Sequence, residues 1–136
     1  MEITIMKVEG RVPVSVIQLH GDLDGSSFKS LIATAQMLYD EGDRQLLLDM
    51  SGLRFMSSAG LAALHIVGRM FRGEKAPDPE DGWATFRTID RERAEGMQQN
   101  VKLLNPSADI LQTLDVVGFK QLYEIFNDLD EAVQSF

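Results

Sequence analysis

Apolar and polar positions change period several times along this chain of 136 residues, and the changes mark out its elements. Ile3, Ile5 and Val8 predict a first strand, and Glu9-Gly10-Arg11 a hairpin turn. Val12 to His20 predicts a second strand. Its apolar residues occupy both parities, first Val14 and Val16, then Ile17 and Leu19, which predicts burial on both faces. Gly21-Asp22-Leu23-Asp24-Gly25 reads as the break that ends it. Ser26 or Ser27 then caps a helix to about Glu41, whose apolar face is Phe28, Leu31, Ile32, Ala35, Leu38 and Tyr39. Gly42 stops that helix. Leu46-Leu47-Leu48, ending in Asp49, predicts a short central strand followed by a tight connection.

A second helix opens at Ser57-Ser58 and runs to about Arg72. It is apolar on nearly every side, with only His65, Arg69 and Arg72 polar after the opening serines. Such a helix is either wholly buried or partly exposed as a contact surface. With helices on one side of a small sheet, the second outcome is the expectation. Gly73 to about Asn100 has a different character: seven acidic and four basic residues, with Pro77, Pro79 and Gly82. Loops beyond about 12–15 residues are uncommon and usually functional or disordered. A mobile charged insertion is expected over 73–100, with Trp83, Phe86 and Ile89 docking as one ordered patch. Val101 to Leu104 resumes as a strand. Asn105-Pro106 predicts a helix start, with Asn as cap and Pro at the first helical position. Ile110, Leu111, Leu114 and Val117 line that helix and Gly118 ends it. Leu122 to Phe126 is a last strand, and Asp128 opens a final helix with Leu129, Ala132 and Val133 inward.

The order is β-β-α-β-α-(insert)-β-α-β-α in a single domain, 1–136. Alternating strands and helices predict an α/β fold with a mostly parallel or mixed sheet of about five strands, four helices and right-handed crossovers.

Composition narrows the function. The net charge of −8 argues against non-specific binding to nucleic acid or anionic lipid and leaves room for a basic protein partner. No run of 18 apolar residues predicts a membrane span, and the first residues lack the pattern of a signal peptide. Zero cysteines exclude disulfides, thiolate metal sites and cysteine catalysis, and fit a reducing cytoplasm. His20 and His65 stand at no metal-ligand spacing, and no nucleophile elbow or phosphate-binding glycine loop is present. Asp22 and Asp24 alone make a poor cation site. The chain predicts no metal, no cofactor and no enzyme.

Ser57 and Ser58 remain. Serine is a preferred helix cap, so one of the two is expected to cap. If Ser57 does so, Ser58 points outward at a helix start that tolerates an anion. Ala59 and Gly60 leave little bulk there for an approaching partner.

The stretch Asp49-Met50-Ser51-Gly52-Leu53-Arg54-Phe55-Met56-Ser57-Ser58-Ala59-Gly60-Leu61 resembles the central motif of STAS domains, the family of bacterial anti-sigma factor antagonists. Gly21-Asp22-Leu23-Asp24 resembles the family's Gly-Glu-Leu-Asp loop, and Asn105 to Phe119 its later helix. The resemblance implies a STAS-like fold and a serine, Ser58 by position, phosphorylated by a partner kinase that doubles as an anti-sigma factor. Ser57 is a rival site. It further implies a partner surface of Asp22, Asp24, Ser57, Ser58, Ala59, Gly60 and Leu61. Two positions depart from the family: Ser57 replaces the Asp before the phosphoserine, and Ala59 the Ser/Thr after it.

The leading expectation is a cytoplasmic partner-switching regulator. Unphosphorylated, it binds a kinase-type anti-sigma factor; serine phosphorylation releases it and a phosphatase resets it. The alternative is a non-phosphorylated STAS subunit of a transport or larger signalling assembly. Oligomeric state is left open, with a dimer among the options.

Overall fold

The computed structural model describes residues 1–74 and 97–136. Five strands form one sheet in the order β1-β2-β3-β4-β5. They are β1 (Glu2–Glu9), β2 (Pro13–Leu23), β3 (Leu46–Met56), β4 (Gln98–Leu104) and β5 (Tyr123–Phe126). β1 is antiparallel to β2, and the other pairs are parallel. Four helices lie among the described residues: α1 (Phe28–Asp40), α2 (Ser58–Phe71), α3 (Ala108–Val116) and α4 (Leu129–Gln134). The element order and the α/β class match the reading of the sequence. The proposed docking of Trp83, Phe86 and Ile89 lies outside the described residues. The strand at the end of the expected insertion begins at Gln98, three residues before Val101.

The two parities of β2 serve two cores. Ile17 and Leu19 join Leu46, Leu48 and the inward faces of α1, α2 and α3. Val14 and Val16 join Leu47, Leu104 and the small face of α4, Ala132 and Val133. Among the described residues, helices therefore cover both faces of the sheet, α1, α2 and α3 on one and α4 on the other. Lys102, buried on the α4 side, donates to the Ser135 carbonyl (2.9 Å) and pairs with Glu124 at 3.4 Å. A cation at a helix C-terminus offsets its partial negative charge.

α2 is not a half-exposed contact helix. Gly60 to Gly68, Met70 and Phe71 are all buried. The sheet lies beneath it, α1 flanks it, and the segment Phe119–Tyr123 closes against it. Tyr123 Oη donates to the Leu64 carbonyl (3.0 Å), Gln98 Nε2 to the Gly68 carbonyl (2.8 Å) and Asn100 Nδ2 to the Phe71 carbonyl (2.9 Å). His65 stacks on Phe119 with ring centroids 6.3 Å apart. Burial, and then the charges of Arg69 and Arg72, press the His65 pKa down to about 4, so the ring is neutral at pH 7. Gly68 has no side chain because Tyr123 occupies that space.

Three local expectations are corrected. β2 does not break at Gly21; it runs on to Leu23, with Gly21 at φ +108. β3 does not stop at Asp49; it runs on to Met56. α3 is capped by Ser107, whose Oγ accepts from the Ile110 N–H (3.2 Å), not by Asn105. Asn105 instead sits at φ 53 and donates its N–H to the Phe126 carbonyl (2.8 Å), which commits it to β5.

Candidate functional site

The ends of β2 and β3 and the starts of α1 and α2 meet at one edge of the sheet, and two irregularities in β3 shape that edge. From Ser15 to Leu23 β2 advances eight residues, while its partners on β3, Leu46 to Met56, advance ten. The two extra residues enter between Gln18 and His20 and between Gly21 and Asp22. Each is a bulge that shifts the alternation of faces, and bulges are frequent beside functional sites. The inward residues of β3 are thus Leu46, Leu48, Met50, Leu53 and Met56. At the first bulge the Asp49 carboxylate accepts from the Ser51 N–H (3.0 Å) and hydroxyl (2.7 Å). Gly52 lacks a Cβ where one would collide with the His20 ring.

The second bulge leaves two consecutive residues, Arg54 and Phe55, outside the core. Phe55 is 54% exposed. Arg54, its side chain 77% exposed, reaches across to Asp22 with Nε 3.5 Å from the carboxylate. The sequence reading missed both residues. The signal was the apolar spacing of three, Leu53 to Met56, next to regular alternation.

Ser57 is the cap of α2. Its Oγ accepts from the Gly60 N–H (3.3 Å), and its own N–H donates to the Leu23 carbonyl (2.9 Å). The helix start is therefore tied to the end of β2. Ser58 occupies the first helical position and is exposed, and Ala59 is half-buried. Gly60 and Leu61, expected at the contact surface, are buried inside the domain. Gly60 is buried against β2, where a Cβ would stand 2.5 Å from the Leu23 carbonyl oxygen. Leu61 is 6% exposed and packs in the main core. The small residue at position 60 serves the internal packing of helix on strand.

The expected loop residues are brought to the same edge. Asp22 is half-buried and paired with Arg54. Asp24 is spent on the loop itself. Its carboxylate accepts from the Ser26 hydroxyl (2.6 Å) and N–H (2.9 Å), and its carbonyl from the Phe28 N–H (2.9 Å). The hydrogen bonds from Ser26 hold the Asp24 pKa below its ordinary value. Ser27 does not cap α1 with its side chain. Its buried Oγ donates to the Asp22 carbonyl (2.7 Å) and accepts from the Asp24 N–H (3.0 Å). Among the described residues no three His, Asp or Glu come together as a metal site, and no helix is long and apolar enough to cross a membrane. The edge offers an exposed hydroxyl, one carboxylate–guanidinium pair and one exposed aromatic ring on a rigid corner. This equipment suits recognition and modification.

Known proteins share this fold. A family profile described as "Mlab, STAS domain" matches residues 6–76. The candidate anti-sigma factor antagonist BtrV of Bordetella bronchiseptica is 21% identical over all of this chain and 95% of its own length. An anti-sigma factor antagonist of Mycobacterium paratuberculosis superposes with a TM-score of 0.63 at 17% identity, covering 98% of this chain and 93% of its own. The phosphorylated form of the Bacillus cell fate determinant SpoIIAA superposes with a TM-score of 0.56 at 17% identity, covering 97% and 96%.

Proposed function

The chain belongs to the STAS domain family, and from that premise we propose that it is an anti-sigma factor antagonist that works by partner switching. Unphosphorylated, it docks the edge formed by Asp22, Asp24, Ser57, Ser58 and Ala59 on a kinase-type anti-sigma factor in the cytoplasm. Phosphorylation of Ser58 releases it, and a phosphatase restores it. The observation that carries this reading is the division of labour between the serines. Ser57 satisfies the helix while Ser58 stays exposed one residue later. A kinase can therefore modify Ser58 without removing a cap. In that step the Ser58 oxygen attacks the γ-phosphorus of ATP, ADP leaves, and the hydroxyl proton passes to a base of the kinase. The product carries about −1.5 to −2 added charges at pH 7. A docked surface feels them as repulsion and desolvation, and each 1.4 kcal/mol or so is tenfold in affinity. The chain is then a substrate and a switch, not a catalyst. The names of BtrV and of the structural neighbours support this reading.

The test is incubation with the cognate kinase-type anti-sigma factor and Mg-ATP, followed by site mapping and binding measurements. Phosphate is expected on Ser58, with loss of binding at full stoichiometry. A Ser58→Ala chain that is still fully phosphorylated removes Ser58 as the site. A second reading is a permanent, non-phosphorylated subunit of a transport or signalling assembly. Ser57 favours it, because the family's acid is missing beside Ser58. Purification in such an assembly with no phosphate under any condition would establish it.

A further inference from the structure

We infer that Arg54 is a phosphate clamp for Ser58. On phosphorylation it exchanges the Asp22 carboxylate for the phosphoryl group, so the modification also unpairs Asp22 at the end of β2. The inference rests on Ser58 being the modified residue. Its basis is the side-chain pair on the bulged strand. Arg54 is the extra residue of the second bulge, it lies outside the core next to inward-facing Leu53, and its side chain is 77% exposed. Its contact with the half-exposed Asp22 is an open 3.5 Å approach through Nε. Exposed pairs of this kind are weak, so the guanidinium leaves at little cost. A phosphoryl group carries more charge than a carboxylate and accepts the two parallel N–H groups of an arginine fork. It is therefore the better partner.

Position and charge agree. Arg54 precedes Ser58 by four residues, which is at most about 14 Å of extended chain. The turn into α2 at Ser57 shortens that path, and both side chains are exposed. Arg54 is the only Lys or Arg between Arg44 and Arg69, so no other cation on β3 or the start of α2 competes for the phosphate. The neighbour Ser57 is neutral and already engaged with the Gly60 N–H. Asp24, the next carboxylate along the loop, is held by Ser26. Asp22 is thus the group whose pairing the exchange alters. One phosphorylation would then change charge in two places, at Ser58 and at Asp22, and carry the switch from the α2 corner to the β2 end.

Phosphoserine encoded at position 58 of the full chain tests this without a kinase. The phosphate is titrated by 31P NMR in the parent, Arg54→Gln and Arg54→Lys chains, and the amides of residues 22–24 are followed. The second phosphate pKa is expected to rise by about half a unit or more in Arg54→Gln, and by less in Arg54→Lys, which keeps a point charge but loses the fork. The amides of residues 22–24 should move on phosphorylation in the parent and move clearly less in Arg54→Gln, where only the direct field of the phosphate across the Ser57–Leu23 bond remains. An unchanged titration in Arg54→Gln overturns the clamp. Equal amide movement in both chains overturns the exchange with Asp22. A kinase that never modifies Ser58 counts against the proposed function alone, because the encoded phosphate needs none.

Discussion

Two serine pairs open the two large helices at the same edge of the sheet, Ser26-Ser27 before α1 and Ser57-Ser58 before α2, and they do different work. In the first pair both hydroxyls are committed to the loop. Ser26 donates to the Asp24 carboxylate, and Ser27 is buried between the Asp22 carbonyl and the Asp24 N–H. In the second pair Ser57 takes the helix N–H and Ser58 is left outside. The helices differ as well. α1 buries one stripe, Leu31, Ala35 and Leu38, whereas α2 is buried all round. The exposed Ser58 hydroxyl therefore stands on the more deeply buried helix. A change there alters the surface and leaves the core alone.

The largest expected effect separates the two helices. Leu61→Asp places a carboxylate in the main core and should cost more than about 4 kcal/mol, enough to abolish a cooperative transition. Met37→Asp on the outer side of α1, where Met37 is 45% exposed, should cost less than about 1 kcal/mol. Urea melts followed by circular dichroism compare them. A cooperative Leu61→Asp melt near the parent midpoint would return Leu61 to the surface and undo the contrast.

Acid separates the same regions by pH. The His65 pKa is about 4 in the fold against 6.5 outside it. The unfolded chain therefore binds the proton first. The stability linked to His65 is complete above pH 6.5 and declines as the pH falls to 4. The loss is about 3 kcal/mol, at about 1.4 per unit. At the α1 loop the lowered pKa of Asp24 acts later, with its contribution present above 3.8 and lost as the pH falls through its folded value. His65→Leu should flatten the stability curve between pH 6.5 and 4 while leaving the lower limb. A slope unchanged by His65→Leu would show that another group drives it.

What the sequence conveyed follows from these same features. α1 and α3 were legible because their apolar residues recur at helical spacing, as in Leu31, Ala35 and Leu38, and the first half of β3 because Leu46-Leu47-Leu48 is an unbroken apolar run. The second half of β3 was not, because two bulges turn a spacing of two into three at Leu53 and Met56. Ser51 and Gly52 then look like a turn when they are strand. Gly21 misled for the same reason, since a glycine at a bulge reads as a break. Ser57 as cap and Ser58 as exposed neighbour followed from local rules. That Gly60 and Leu61 face inward did not, because the Leu23 carbonyl and the core that meet them come from elsewhere in the chain. Arg54 and Phe55 became visible only once the bulges were placed.

Among the serines the order of cost should follow their partners. Ser27→Ala removes the buried Oγ that bonds the Asp22 carbonyl and the Asp24 N–H of two half-buried residues and should cost about 1–3 kcal/mol. Ser57→Ala removes a cap worth about 1 kcal/mol, because water can reach part of that half-buried helix start. Chemical denaturation of both variants checks the order. A larger loss from Ser57→Ala would mean that the α2 cap, not the α1 loop, holds this edge together.

The smallest effect on stability is the most telling for function. Ser58→Ala removes an exposed hydroxyl at a helix position where alanine is well tolerated, so its melt should lie within about 0.5 kcal/mol of the parent. Ser26→Ala is equally exposed but takes a hydroxyl from the Asp24 carboxylate. It should leave the Asp24 pKa nearer its ordinary value and shift only the acid limb of the stability curve. The two variants thus remove the outer serine of each pair with opposite signatures. Ser58→Ala is expected to bind the kinase-type anti-sigma factor as the parent does, and to stay bound in the presence of Mg-ATP. Ser26→Ala is expected to bind and to be released. Two-way release, with both variants leaving the partner on ATP addition, would mean that the switch does not reside in Ser58 and that the structural difference between the pairs is only one of capping.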